Sequence, residues 1–352
     1  MKHKVTPLLL LLIVTMLLGA CAPEPSPGEP QSLTVMTHDS FAISEEVIAQ
    51  FESEHGVTVN FVRSGDTGTA LNQAILTKSN PLADVFYGLD NTFLTRALEE
   101  ELFLPYDSPM LDQIPDEFKI DPGNHALPVD YGDVCINYDK AFFEAQALPI
   151  PTSLEDLIDP RYAGLLVTQN PATSSPGLAF LMATIAHFGE DGYLDYWQAL
   201  VENGLTVVSN WETAYYTNFS GSTGQGPQPL VVSYGSSPAA EVIFAQTELE
   251  ESPTGSIIGP NTCFRQIEFV GILRNTANPD LAKAFVDFML SVPFQEDIPM
   301  QMFVFPVNPQ ASLPEAFLEH VDIPDQPASL PPELIDANRE AWINAWLEAV
   351  LD

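Results

Sequence analysis

Apolar residues recur along this chain in two rhythms, every second position and then every third or fourth, and their alternation predicts strands and helices in turn. Leu33, Val35 and Thr37 alternate as a first strand, Ser44 opens a helix that runs to Glu54 and stops before Gly56, and Val57, Val59 and Phe61 form a second strand. Thr69 to Lys78 reads as a helix closed by Asn80-Pro81, after which Ala83 to Leu89 is a buried strand ending at Asp90-Asn91. Ala126 to Tyr138, with Asp130 and Asp133 inside it, is a strand that crosses into a second series. That series holds strands at Leu165–Thr168, Leu205–Val208 and Leu230–Ser233, and helices at Pro176–Phe188 and from Pro238. Phe264 to Leu273 returns as a strand. Asn278-Pro279 then opens a helix with Leu281, Ala284, Phe285, Phe288 and Met289 on one face, and Pro332–Leu351 repeats the pattern with Ile335, Trp342, Trp346 and Ala349. This order predicts an α/β fold with a largely parallel sheet.

The N-terminus follows neither rhythm. Lys2 and Lys4 precede an apolar stretch from Pro7 to Leu18, and Leu18-Gly19-Ala20-Cys21 has the small residues before a cysteine that a lipoprotein signal peptidase needs. The stretch is shorter than the roughly 20 residues that a membrane-spanning helix requires. Residues 1–20 are therefore expected to be a signal peptide, Cys21 the lipidated residue, and the proline-rich segment 21–31 an extended tether that holds the domain at a membrane surface. Beyond it we expect a first lobe over 32–132, a second over 133–267, and a return to the first over 268–352.

Charge narrows the partners. The 352 residues carry a formal net charge of −36, and loss of the two leader lysines makes it two units more negative. Such a surface repels nucleic acid and suits a cationic ligand, although the same charge keeps an exported protein soluble. Of three cysteines, Cys135 and Cys263 remain after Cys21, in an oxidising location where a disulfide could form. The six histidines show no ligand-like spacing, so no metal site is expected. Nor is there a nucleophile elbow, a Walker loop or a dinucleotide fingerprint.

Candidate chemistry sits at strand ends and helix starts, the places that face the crevice of an open α/β sheet. Thr173, Ser174 and Ser175 precede Pro176, and the Ser-Ser-Pro after Tyr234 repeats the arrangement; such turns present free amides and a positive dipole end to an anion, or simply cap a helix. Trp211 and Tyr234 are placed to offer aromatic faces to a flat cation. Asp39-Ser40 and Asp90-Asn91 put polar groups along one sheet edge, where a carboxylate meets a cation or caps a helix.

Several linked motifs carry a resemblance. Thr37-His-Asp-Ser-Phe, Ala83-Asp-Val-Phe-Tyr-Gly-Leu-Asp-Asn, Asp130-Tyr-Gly with Asn137-Tyr-Asp-Lys, Thr173-Ser-Ser-Pro-Gly-Leu, Asn210-Trp-Glu-Thr-Ala-Tyr, Ser233-Tyr-Gly-Ser-Ser-Pro and Phe305-Pro-Val follow one another in order. From about Ser32 to the C-terminus the chain resembles the thiamine-binding proteins of bacterial thiamine ABC importers. The resemblance implies a two-lobed periplasmic-binding-protein fold of type II with the ligand cleft between the lobes. It implies a monomer that carries thiamine or a thiamine phosphate to an ABC permease, without catalysis and without a cofactor. It also implies ligand contacts at Trp211 and Tyr234, a phosphate-end role for Ser174, matching positions at Asp39 and Asp90, and Phe303 at the cleft edge. Where the family has a tyrosine before the first-strand Asp this chain has His38; an aromatic soon after that motif is missing, a later tyrosine is Ala240, and a tryptophan is Phe303. Two alternatives stand beside this expectation. One is a thiaminase-like enzyme with Cys135 as nucleophile and Glu268 as base, and the other is a ferric-ion binder using Tyr215 and Tyr216.

Overall fold

The computed structural model describes residues 31–223 and 225–351. The expected signal peptide, Cys21 and the tether up to residue 30 lie outside the described residues.

The chain starts with β1 (Gln31–Thr37), α1 (Glu45–His55), β2 (Val57–Arg63), α2 (Thr67–Leu76), β3 (Val85–Asp90) and α3 (Leu94–Glu99). Gly56, at φ 65°, adopts the left-handed conformation that ends α1 and turns the chain directly into β2. A short β4 (Phe103–Leu104) precedes the long β5 (Leu127–Asp139) and α4 (Lys140–Gln146). Then come β6 (Leu166–Gln169), α5 (Ser175–Phe188), α6 (Tyr193–Glu202), β7 (Thr206–Val208), α7 (Ser220–Thr223), β8 (Leu230–Tyr234), α8 (Ser237–Ile243) and β9 (Thr254–Ile257). The return consists of β10 (Phe264–Leu273), α9 (Pro279–Met289), α10 (Val292–Gln301), β11 (Phe305–Pro306), α11 (Glu315–His320) and α12 (Pro332–Leu351).

The strands join in the order β2-β1-β3-β10-β5-β8-β6-β7, with β4 beside β10 and with β9 and β11 beside β5. β1 pairs in parallel with β2 and β3, and β6 with β7 and β8. Between these two parallel sets β5 and β10 run antiparallel to each other and to their outer neighbours. The result is the two-lobed α/β architecture, with β5 and β10 as the strands that cross from one lobe to the other.

The apolar residues divide accordingly. One core gathers Leu33, Val35, Phe51, Val85, Phe103 and Phe285 with the start of β5 and the end of β10. The other gathers Val134 and Ile136 from the far part of β5 with Phe180, Trp197, Leu230, Val232 and Phe264. Burying one such phenylalanine contributes about 1.5–3 kcal/mol, so each lobe has its own source of stability. Tyr234 and Phe93 pack against both cores.

One pairing left open in the sequence is resolved here, and one expectation changes. Cys135 and Cys263 form a disulfide that ties β5 to the residue just before β10 on the second-lobe side. The C-terminal helices, expected to return to the first lobe together, divide. Phe285 of α9 and Ile298 of α10 pack in the first core, whereas Ile335, Trp342 and Trp346 of α12 pack in the second. The reason is the apolar face of α12, whose Trp346 meets Trp197 edge-on with ring centroids 5.3 Å apart. Its polar side reaches back to the first lobe. Buried Arg339 donates to the Thr92 carbonyl oxygen at 3.0 Å and lies over the Phe93 ring.

Candidate functional site

The crossing strands carry a row of carboxylates. Glu268 of β10 stands opposite Asp90 of β3 on one side and opposite Asp130 of β5 on the other. Cross-strand partners share a sheet face, so three acids line up across three adjacent strands where the two cores meet. Asp90 and Asp130 are fully buried. Like charges directly opposite one another destabilise a sheet, and unpaired buried charge costs more still.

Protons and one imidazole relieve part of this charge. Burial, and then the Glu268 charge, push Asp130 well above the usual carboxylate range. The Tyr87 hydroxyl donates to Asp130 and, at 3.2 Å, to Glu268. Burial pushes Glu268 upward as well, but His38 and the protons of Asp130 and Tyr87 outweigh it and hold Glu268 low. The His38 Nε2 lies 3.5 Å from Glu268. Asp90 is raised to about 6 by burial, although it accepts from the Thr92 amide (2.7 Å), the Thr92 hydroxyl (2.5 Å) and the Gln266 amide (2.6 Å). Asp130 Oδ1 is buried without a hydrogen-bond partner. A desolvated basin of this kind, rich in acceptors and poor in cations, is suited to a cationic ligand.

Tyr234 joins this basin. Its hydroxyl donates to Gln266 Oε1 at 3.1 Å, which extends the Asp90–Gln266 contact across to β8. The ring lies on Gly132, where an added Cβ would come within 2.9 Å of Tyr234 Cδ1, so glycine is what lets the ring reach the crossing strand. Trp211 belongs to the same strand end but to the other face. Its indole donates to Ser233 Oγ at 2.9 Å, and residues 233 and 234 project to opposite sides of β8. The indole is half-buried and stacks on Tyr215 at 5.1 Å. The two aromatic candidates therefore stand on either side of β8 rather than as one facing pair.

The serine turn sits across from the first lobe. Ser174 occupies the N-cap position of α5, and its hydroxyl is buried without a partner. Ser175 donates through its amide and its hydroxyl, both at 3.3 Å, to the carboxylate of Asp66. Asp66 already caps α2 by accepting from the Thr67 amide at 2.8 Å, so a single carboxylate serves helix starts in both lobes. Thr173 donates to the Ser209 carbonyl at 2.6 Å, tying this turn to the one that carries Trp211.

Other candidates do local work. Asp39 is exposed and accepts from the Gly65 amide at 2.9 Å, positioning the loop that bears Asp66, and Ser40 is exposed on the same turn. Asn91 is spent on β10, donating to the Arg265 carbonyl and accepting from the Ile267 amide. Phe303, at φ 58°, gives its carbonyl to the Ser236 hydroxyl and its ring to Phe244 at 5.0 Å.

Both alternatives lose their footing. Cys135 is buried and disulfide-bonded, so the nucleophile that a thiaminase-like reaction needs has no thiol. Tyr215 is buried with its phenol donating to Glu241 at 2.7 Å, whereas Tyr216 is exposed, so the adjacent phenols do not share one environment. Among the described residues no group of three or more His, Cys, Asp and Glu side chains is arranged to hold a metal ion.

Sequence reasoning missed Asp66, Gln266 and Tyr87, and gave Asp130 and Glu268 no place in a cation site. The signal was present in the strands themselves: Leu127–Asp139 interrupts its apolar run with Asp130 and Asp133 at buried positions, and Phe264–Leu273 with the partly buried Glu268.

Known proteins share this architecture. Residues 80–325 match the family of bacterial extracellular solute-binding proteins. The chain is similar to the thiamine-binding periplasmic protein of Brucella suis, with 32% identity over 349 residues that cover 97% of this chain and 98% of that one. It is also similar to the thiamine-binding periplasmic protein of Salmonella typhimurium, 31% identical over 323 residues, with 90% and 93% covered. A solved periplasmic thiamin binding protein superposes with a TM-score of 0.78 at 29% identity over 91% of this chain and 96% of the other. The chain belongs to the bacterial extracellular solute-binding proteins, in the group that contains the thiamine-binding periplasmic proteins.

Proposed function

We propose that the protein binds thiamine, or one of its phosphate esters, between its lobes and delivers it to an ABC importer without catalysing a reaction. The observation that carries this reading is the in-register row of Asp90, Glu268 and Asp130, which gathers two buried carboxylates and one partly buried where the lobes meet, with the His38 imidazole as the one basic group against them. Tyr234 offers its aromatic face within this basin and Trp211 offers one on the other side of the same end of β8, where a ligand that reaches past the strand end meets it; each face is worth roughly 0.5–2 kcal/mol against a desolvated cation. The names of the Brucella and Salmonella relatives support the same ligand. A phosphate end would dock at Ser174 and Ser175 by displacing Asp66 from the start of α5. Asp39, Ser40 and Asn91 frame the first-lobe side, and Phe303 the edge.

The protein acts outside the cytoplasm as a monomer, held to the membrane through lipid on Cys21, and needs no cofactor. Hinge closure about β5 and β10 presents a loaded face to the permease. Titrating the purified protein with thiamine should give a heat of binding and quenched tryptophan emission. No heat and no quench at millimolar thiamine would overturn the reading.

A further inference from the structure

Glu268 lies between two acids, yet among the described residues only one basic side chain comes within ion-pair distance of it, that of His38. The imidazole is held against β3: a Cβ on Gly88 would fall 2.2 Å from His38 Cδ2, so the ring packs directly on the strand backbone beside Tyr87. Every element around it presents acid or phenol. Glu268 faces it from β10, Tyr87 from β3, Asp66 from the turn before α2, and Asp39 from its own loop.

We propose that His38 is a resident cation that the ligand replaces: in the ligand-free protein its imidazolium neutralises Glu268, and a bound cationic ligand takes over that carboxylate and drives the His38 proton into solvent. The inference rests on the reading of a thiamine-like cation. Burial alone would lower the imidazole, but Glu268 foremost, then Asp66 and Asp39, hold it above its ordinary value, so this ring keeps its proton to higher pH than a free imidazole. Imidazolium and thiazolium cannot both lie against one desolvated carboxylate without repelling each other. Affinity therefore rises with pH, and His38 sets part of that slope alongside the carboxyls, which also release protons when a cation arrives.

Calorimetric titration with thiamine at pH 7, in phosphate and in Tris, counts the protons released through the different ionisation heats of the two buffers. The wild type should release up to about one proton more per thiamine than H38Q or H38N. The ratio of its dissociation constants at pH 6 and pH 8.5 should exceed that of the variants by roughly tenfold. In the unmodified protein, the NMR titration of the His38 ring should move to lower pH when thiamine is bound. Equal proton counts in folded variants, or a His38 titration that thiamine leaves in place, would overturn the proposal and leave thiamine binding intact. Failure of the wild type to bind thiamine even at pH 8.5 would overturn both.

Discussion

Asp66 and Ser175 meet across the gap between the lobes: the amide and the hydroxyl of Ser175 both point at the carboxylate of Asp66, each at 3.3 Å. Because Asp66 also caps α2, closing the lobes places one negative charge at two positive helix ends. Asp66→Ala should open the ligand-free protein and weaken closure by about 0.5–2 kcal/mol, the usual worth of a cap. Small-angle scattering would register this as a larger radius of gyration for the variant; an unchanged value would show that closure does not depend on this contact.

Glu268 is the one member of the acid row whose titration lies below its ordinary value, because His38, Asp130 and Tyr87 outweigh the upward push of burial. Glu268→Gln should keep the shape and lose the charge, weakening thiamine binding roughly tenfold or more. Calorimetry gives the affinity and thermal unfolding checks the fold. Equal affinity in a folded variant would remove the carboxylate row from the site.

Ligand quenching should come from one indole. Trp197, Trp342 and Trp346 are buried in the second core, whereas Trp211 is half-buried at the end of β8. Trp211→Phe should abolish the thiamine-dependent change in emission and weaken binding by about three- to thirtyfold, the range expected from loss of one stacking face. Quenching that survives in the variant would place the ligand elsewhere.

The ligand-free protein should grow less stable as Asp90 ionises. Its folded value of about 6 lies above the ordinary 3.8, so the folded state binds this proton more tightly than the unfolded chain. The associated stability is fully present below the ordinary carboxyl range and is lost as pH rises through about 6, amounting to roughly 3 kcal/mol. Chemical denaturation of wild type and Asp90→Asn at pH 4 and 7.5 isolates the effect. A difference between the two proteins that does not change with pH would refute it.

Reduction should destabilise the hinge. The Cys135–Cys263 bond closes a loop across 128 residues of sequence, so the double Cys→Ala variant should lose about 2–4 kcal/mol. Unfolding with and without a reducing agent measures the loss in the wild type, and the double variant should be indifferent to the agent.

The parts of the fold that were legible in sequence are those whose local pattern and tertiary role agree. Helix α9 is one, amphipathic along its length and started by Pro279, and β1 is another. Helix α10 was not legible because it contains Pro299 and starts with Val292-Pro293. Distant bonds hold it instead: buried Gln295 donates to the carbonyls of Val129 and Met289 and accepts from the Asn308 amide. The two-residue β11 likewise exists only through its pairing with Tyr131 and Asp130. At the site, Asp90 and Tyr234 were legible as strand ends. Asp66 was not, since its partner Ser175 lies 109 residues away and nothing local distinguishes it from any other helix cap.

Arg339 gives the last helix a stake in events at the ligand. Anchored by its tryptophans to one half, α12 grips through this guanidinium the Thr92 carbonyl of the other half, two residues past Asp90. Swinging the halves apart must therefore either drag the tail or release that grip. A dye or fusion partner attached to the carboxyl terminus would thus be a sensor of ligand capture, and trimming the tail would alter how readily the jaws part.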